Sequence, residues 1–435
     1  MARLMILGGG GSQIPAILRA RERGFTVVLA DMNPLAPGRS LAQEFVQVST
    51  FDPQGIAEAA NNTRVQALFT LGSDQPVYSA AYAADQLGLP NPLSPEQALR
   101  VTNKAPMKQL FRDNNIPSAT FRIILPEGQK PTVDLGSVSQ EIPPPWVLKP
   151  VDSQGQRGIF LIRDPEELNS RIPQSRAFSR DGRLVLESYY PSKEVTFSAW
   201  AGPNSNRPED TQVWTISDRI TFNLDKWPEA GLGVCLAHRY PSLYAQGREN
   251  EILEIAQTIV RVFELTNTPL YFQFLIGDQG IKVNEIACRL GGAYEDQWIP
   301  RVRGIDILDD TLDWYAQALG MKPFEGAAHA SLMSHCVVPL LFARQGTITR
   351  YRGTGELLRG REVQAAQFLL PPGTDIGPMT NSTQRVGYTI LGARGPEQVN
   401  QLIHAAFDTL RAENLTGENL LYDTRVDCLF PQGVH

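Results

Sequence analysis

The sequence predicts an α/β fold for the first hundred residues and a mixed α/β and α+β architecture beyond them. Three observations carry this. Strands and helices alternate near the N-terminus, with strands over 3–7, 26–30 and 67–71 and helices over 13–23 and 76–87, a pattern that builds a parallel sheet covered by helices. Near the middle, two apolar strands each end in a chemically loaded segment. One is Trp146-Val147-Leu148-Lys149-Pro150, followed by a glycine-bearing loop, and the other is Lys282-Val283-Asn284-Glu285-Ile286, followed by Arg289, Gly291 and Gly292. The last hundred residues read as α+β, with strands over 333–342 and 363–370, a helix over 399–413, and turns at Gly353-Thr354-Gly355 and Pro371-Pro372-Gly373-Thr374.

Between these landmarks each element has a local cause. Gly8 to Gly11 with Asp31 about twenty residues on resembles a dinucleotide turn, but Gln13 or Ile14 stands where the third glycine belongs. The turn therefore reads as part of a Rossmann-like domain, serving a substrate or packing. A proline-rich stretch at 91–95 ends that domain, and 97–114 reads as a helix carrying Lys104 and Lys108. A smaller α/β unit follows over about 117–187, with strands at 160–162 and 184–186, a helix at 165–172, and a polar, proline-rich loop at 129–145. A second unit over about 195–320 holds strands at 195–200, 270–276 and 281–286 and a helix at 250–263.

Bulk properties exclude several classes. A chain of 435 residues holds about three domains of ~150 residues. Its net charge of −6 argues against a broad nucleic-acid or anionic-membrane surface. No apolar run reaches the ~20 residues of a membrane span, and the one at the N-terminus is too short for a signal peptide. Cys235, Cys288, Cys336 and Cys428 form no CxxC pair, and the histidines show no HxxxH spacing, so neither a zinc site nor a disulfide framework is expected, and a cytoplasmic location fits.

The loaded segments point to polyphosphate chemistry. A lysine leaving a buried strand is costly unless it meets an anion or its amine snorkels to water. The glycines of Ser153-Gln154-Gly155-Gln156-Arg157-Gly158 let backbone amides approach phosphate oxygens, although no Walker A pattern is present. Glu187 and Glu194 flank Tyr189-Tyr190-Pro191, where backbone groups near Ser188 and Tyr190 can meet an adenine edge and Glu194 can accept from ribose hydroxyls. Gln273 and Glu285 lie on strands joined by Gly277-Asp278-Gln279-Gly280, and as a hairpin they offer oxygen ligands to magnesium or manganese. Arg289 can bind a carboxylate or acyl phosphate through two parallel hydrogen bonds.

At these residues the chain resembles the ATP-grasp superfamily, and within it the carboxylate–amine ligases, including L-amino-acid ligases. The resemblance runs across nearly the whole chain. Thr102 to Lys108 is similar to the segment whose lysine, here Lys104, touches ATP phosphate. Trp146 to Pro150 resembles the second phosphate lysine segment, Ser153 to Gly158 the flexible loop covering the phosphates, Leu186 to Val195 the adenine and ribose segment, and Phe272-Gln273-Phe274 with Glu285 to Gly292 the metal strands. It implies a pre-ATP-grasp Rossmann-like domain over 1–95, an ATP-grasp domain over 96–325 with a lid at about 117–187, and a closing α+β domain over 326–435. Two positions depart from the pattern. Gln273 replaces a common glutamate, as in carbamoyl phosphate synthetases. Ala287 stands where asparagine is usual, leaving Asn284 or water to compensate.

The activity implied is ATP-dependent ligation of a small carboxylate to an amine through an acyl phosphate. Lys104 and Lys149 would position phosphates, Gln273 and Glu285 would hold Mg2+, and Arg289 would stabilise the acyl phosphate. The resemblance allows a homodimer and two rival readings: a carboxylating or formyl-transferring relative from purine biosynthesis, and a catalytically silent ATP-binding protein. Substrate contacts are expected from loops at 72–74 and 222–238 and the stretch 293–303, with Asp74, His238, Glu295, Asp296, Arg301 and Arg303 as candidates.

Overall fold

The computed structural model describes residues 2–126, 128, 140–322, 333–360 and 362–431. The expected loop at 129–145 is described essentially from 140 onward, and the expected boundary at 325/326 falls outside the described residues.

The N-terminal part is a four-stranded parallel sheet of order β3-β2-β1-β4, made from β1 (Arg3–Leu7), β2 (Thr26–Asp31), β3 (Glu44–Gln47) and β4 (Ala67–Phe69). Leu4 to Leu7 and Val27 to Ala30 are buried without interruption, as strands covered on both faces must be. Sequence reading missed β3 and the helix Pro53–Asn62, whose start is set by Asp52 accepting from the Gly55 amide. The glycine turn closes on its own domain, since the Gly9 amide donates to Asp31 at 2.8 Å.

The helix expected over 97–114 is two helices, Pro95–Thr102 and Lys104–Asp113. Asn103 between them is extended, and its side chain accepts from the Ala105 amide, which caps the second helix. Lys104 is therefore the first residue of a new helix, and its amide donates to the Val151 carbonyl at 2.7 Å, directly after the Lys149 strand.

The smaller unit is a four-stranded antiparallel sheet of order β5-β8-β6-β7, from β5 (Phe121–Ile124), β6 (Trp146–Pro150), β7 (Phe160–Ile162) and β8 (Leu184–Ser188). All five residues of β6 are buried.

The largest element is an eight-stranded antiparallel sheet of order β13-β12-β9-β10-β11-β14-β19-β17. It comprises β9 (Lys193–Trp200), β10 (Gln212–Thr221), β11 (Cys235–Tyr240), β12 (Pro269–Gly277), β13 (Gly280–Ala287), β14 (His335–Leu341), β17 (Val363–Phe368) and β19 (Gly387–Ala393). Hydrogen bonding passes from β11 to β14, so the middle and C-terminal parts of the chain share one sheet. Two short ladders complete the strands, β15 (Gly346–Ile348) with β18 (Thr374–Ile376) and β16 (Arg350–Arg352) with β20 (Arg411–Glu413). The helix expected over 399–413 is Pro396–Thr409, and its last expected turn is β20. Both β10 and β11 were unforeseen, as was the helix Glu295–Arg303 within the stretch read as a substrate loop.

Candidate active site

A row of paired residues crosses the large sheet. Glu285 on β13 faces Gln273 on β12, and Gln273 faces Thr196 on β9. Glu194 on β9 faces Arg219 on β10, and Arg219 faces His238 on β11. Leu340 on β14 and Gln367 on β17 both face Tyr388 on β19. Above this row lies a cavity of about 510 Å³ lined by Glu285, Gln273, Arg219, His238, Leu340 and Gln367. Gly11 and Ser12 of the glycine turn, Ser73 and Asp74, residues 154–156, Arg289 and Arg385 close its walls.

Three lysines stand behind the Glu285 end. Lys149 Nζ donates to Glu187 Oε2 at 3.1 Å and to Asn284 Oδ1 at 2.9 Å. Lys108 Nζ stands 3.4 Å from Glu187 Oε1, and Lys104 Nζ stands 3.6 Å from Glu285 and donates to the Ser153 carbonyl at 3.0 Å. Lys108 is wholly buried, and burial pulls its ammonium down to about 8 against the attraction of Glu187. Burial likewise opposes ionisation of Glu187, but the Lys108 and Lys149 ammoniums overcome it and hold the carboxyl below its usual range. Glu187 thus orients two lysines from inside the protein and does not stand free to grip a nucleoside.

The loop after β6 is folded over the cavity. Gly155 and Gly158 have φ of +67° and +74°, and a Cβ on Gly158 would lie 2.9 Å from the Phe178 ring. Ser153 Oγ donates to the Arg157 carbonyl at 3.1 Å. Gln154 Oε1 accepts from the Asp74 amide at 2.7 Å, and the Gly155 carbonyl accepts from the Ser382 amide at 3.0 Å. The loop therefore touches both the N-terminal and the C-terminal walls.

In the hinge segment, the Ser188 amide donates to the Thr120 carbonyl and the Tyr189 amide to the Pro145 carbonyl, both at 2.9 Å, which narrows the backbone available to an adenine. Tyr190 is buried, and its hydroxyl donates to the Gly280 carbonyl at 2.8 Å, pinning the hinge to the β12–β13 turn. Glu194 is bound by Arg219, which also donates to the Gly233 carbonyl at 2.9 Å.

Gln273 and Glu285 fit a magnesium site of the kind that phosphates complete. Burial raises the Glu285 carboxyl, but Lys104, Lys149, Arg219 and Arg289 more than offset this and keep it ionised. No group of three or more His, Cys, Asp or Glu able to hold a metal exists among the described residues, so the remaining ligands would be phosphate oxygens and water, the usual arrangement for Mg2+. Asn284, expected alongside water as a means of compensating for Ala287, has its side chain engaged within the protein. Pairing skips Asn284, with Phe274 opposite Val283, and this bulge turns the Asn284 amide to Lys149 and to Gln273 Oε1 at 3.4 Å.

Arg289 is buried, and its fork is engaged by Asp74 at 2.7 and 2.6 Å while its guanidinium sits 4.7 Å from the Tyr271 ring. The double glycine after it has a packing cause. A Cβ on Gly291 would lie 2.2 Å from the Glu295 carboxyl carbon, and one on Gly292 would lie 2.9 Å from the Gly72 carbonyl oxygen.

The other expected substrate contacts divide. Asp74 and His238 line the cavity. Buried and facing the Arg219 and Arg385 cations, His238 is pulled down to about 3 and is neutral. Glu295 is buried beneath Gly291, accepts from the Ala293 amide at 2.7 Å, and is not a wall of the cavity. Asp296, pushed up to about 7 by burial and then by Glu295, lines a separate recess with Arg301. Arg301 and Arg303 are exposed on the helix Glu295–Arg303 and do not line the cavity. Sequence reading missed Arg219, Tyr271, Tyr294 and Arg385. Only Arg219 had a signal, as a charge inside the alternating stretch of β10.

The C-terminal part matches the family model of the L-amino acid ligase C-terminal domain 2 over residues 339–414. A D-alanine–D-alanine ligase from Synechococcus is 31% identical over 122 residues, spanning 27% of this chain and 35% of that ligase. An L-arginine-specific L-amino acid ligase from Bacillus subtilis is 21% identical over 304 residues, spanning 69% of this chain and 67% of that protein. Among solved structures, an L-amino acid ligase from Bacillus licheniformis superposes with a TM-score of 0.73 at 16% identity, covering 94% of this chain and 98% of that one. The chain has the ATP-grasp fold of these ligases.

Proposed function

We propose that this protein is an ATP-dependent carboxylate–amine ligase. The observation that carries the reading is the placement of Gln273 and Glu285 opposite each other, beside Lys104 and Lys149, at one end of a cavity that also holds Arg289. Lys104 and Lys149 would bind the ATP phosphates beneath the loop 153–158, with the hinge from Ser188 to Tyr190 along the nucleoside. Gln273 and Glu285 would hold magnesium, which when bound neutralises phosphate charge and orients the γ-phosphate. The substrate carboxylate would attack that phosphate, giving ADP and an acyl phosphate. An amine would then displace inorganic phosphate to form the amide. Arg289, steadied by Asp74, would bind the reacting carboxyl and its acyl phosphate. Positioning and electrostatics suffice here, so no covalent enzyme nucleophile is invoked. The buried free thiols of all four cysteines are consistent with the reducing cytoplasm.

Phosphate release from ATP across a panel of amino acids and short carboxylates, with and without amine, tests this. Release that requires both a carboxylate and an amine, with an amide product, is the expected outcome. Release that rises only with bicarbonate or formate overturns it in favour of a carboxylating or formyl-transferring enzyme. Tight ATP binding without turnover overturns it in favour of a silent nucleotide-binding protein.

A further inference from the structure

We infer that Lys108 is a positioning residue for the nucleotide: by taking one oxygen of Glu187 it keeps Lys149 from being neutralised and leaves that lysine to the polyphosphate. This rests on the ATP site of the reading above and needs nothing from the carboxylate or the amine.

Lys108 is placed where it cannot reach the cavity. It lies on the inner face of the helix Lys104–Asp113, is wholly buried, and has its Nζ 5.9 Å from the centre of the Phe111 ring. A buried ammonium is unfavourable unless an anion compensates it. The anion is Glu187, whose Oε1 stands 3.4 Å away, and neither atom finds a hydrogen-bond partner among the described residues. Glu187 is buried as well, and its other oxygen accepts from Lys149 at 3.1 Å. One carboxylate is thus divided between two lysines, of which Lys149 is the more accessible.

Two ammoniums and one carboxylate leave a cluster of net charge +1. Lys149 alone with Glu187 would form a neutral pair, and a phosphate would have to compete with the whole of a buried carboxylate. Sharing Glu187 leaves Lys149 with positive charge for a ligand to neutralise. Lys108 therefore acts on the nucleotide through Glu187, without contact.

The arrangement is sensitive to protons. The charged groups facing Lys108 are Glu187 from β8, Lys149 from β6 and, most weakly, Glu285 from β13. Burial outweighs them and brings the ammonium down to about 8, so it is largely charged at pH 7 and largely neutral at pH 9. Loss of that proton makes the cluster neutral. A polyphosphate arriving beside Lys149 favours the charged form and draws the proton back. The phosphates themselves are already ionised in this range.

Calorimetry of magnesium–ADP binding at pH 7 and pH 9 tests this, in two buffers of different ionisation heat so that proton uptake is counted. Wild type should bind about fivefold more weakly at pH 9 and take up about half a proton there, as a shift of roughly one pKa unit on binding requires. Lys108→Met should bind about tenfold more weakly than wild type at pH 7, weaken no further at pH 9, and take up no proton. Adding Glu187→Gln to that variant removes the neutralising carboxylate and should recover most of the affinity, which a loss of packing would not do. Unchanged affinity in Lys108→Met, an alkaline loss that persists in it, or a double variant that binds no better overturns the inference, while nucleotide binding by the wild type leaves the ligase reading standing. A wild type that binds no magnesium–ADP overturns both. If Lys108→Met does not fold, the wild type decides: uptake of about half a proton at pH 9 supports the role, and no uptake overturns it.

Discussion

Behind the Glu285 end of the cavity Lys104, Lys108 and Lys149 each stand within 3.6 Å of a carboxylate of their own chain, whereas Arg385 in the cavity wall has none within ion-pair distance among the described residues. The difference sets how each cation is held when the site is empty. Three lysines without internal partners would repel one another and lose their geometry when the site is empty. Glu187 and Glu285 hold them, so only a ligand with several charges competes well. The Arg385 guanidinium is held instead by the Gly292 carbonyl and the Tyr294 ring.

The comparison is broken most severely at Glu285. Glu285→Gln should lower turnover about a hundredfold or more, the scale of losing ~3 kcal/mol of transition-state electrostatics. Its pair with Lys104 is partly exposed, so the melting temperature without nucleotide should barely change. Near-normal magnesium-dependent turnover would show that the lysine end works without this carboxylate.

Lys149→Ala comes next. ATP affinity, read by calorimetry on folded protein, should fall by about 1.5–3 kcal/mol. Unchanged affinity would mean that Lys149 serves only Glu187 and Asn284.

At the Arg385 end the sharpest probe is pH. His238 is neutral in the fold at about 3, against 6.5 for an ordinary imidazole. Its contribution to stability is complete above pH 6.5 and is lost as pH falls toward 3, because the unfolded chain takes up the proton first. Denaturant titrations should show about 2 kcal/mol lost to this group by pH 5, and His238→Gln should be correspondingly less acid-sensitive. Identical acid slopes in both proteins would mean that the ring is already charged or exposed.

The smallest effect is expected at Ala287. It pairs with Tyr271, a cavity residue, so Ala287→Asn would direct an amide toward the Glu285 side. Magnesium dependence should tighten several-fold. No change would mean that the site is organised around Gln273 and Glu285 alone.

Elements with continuous apolar runs were legible in the sequence. Strands β1, β2, β6 and β12 follow from such runs and β13 from its alternation, and Lys149, Glu285 and Arg289 were found because they stand late in these strands or just beyond them. Strands β10 and β11 were not legible because Asp218, Arg219, His238 and Arg239 interrupt them and read as solvent-facing. Their charges are neutralised across strands, Arg239 by Asp218 at 2.6 Å and Arg219 by Glu194, and sequence shows charges but not their pairing. The contact between Asn284 and Lys149 was not legible because a bulge breaks the two-residue alternation. Glu295 and Arg301 were read as loop contacts because the helix carrying them follows a glycine pair that looks like a flexible tract. For Arg385 no local pattern exists. Its meaning comes from Tyr294 and Gly292, about ninety residues away.

The eight strands from β13 to β17 act as a jig. Gln273 and Glu285 are clamped to the same slab as Arg219 and His238, while the lysine of β6 belongs to a separate, smaller plate. The spans from the carboxylate of β13 to the arginine of β10 and the imidazole of β11 are therefore set by strand spacing, whatever the position of the smaller plate.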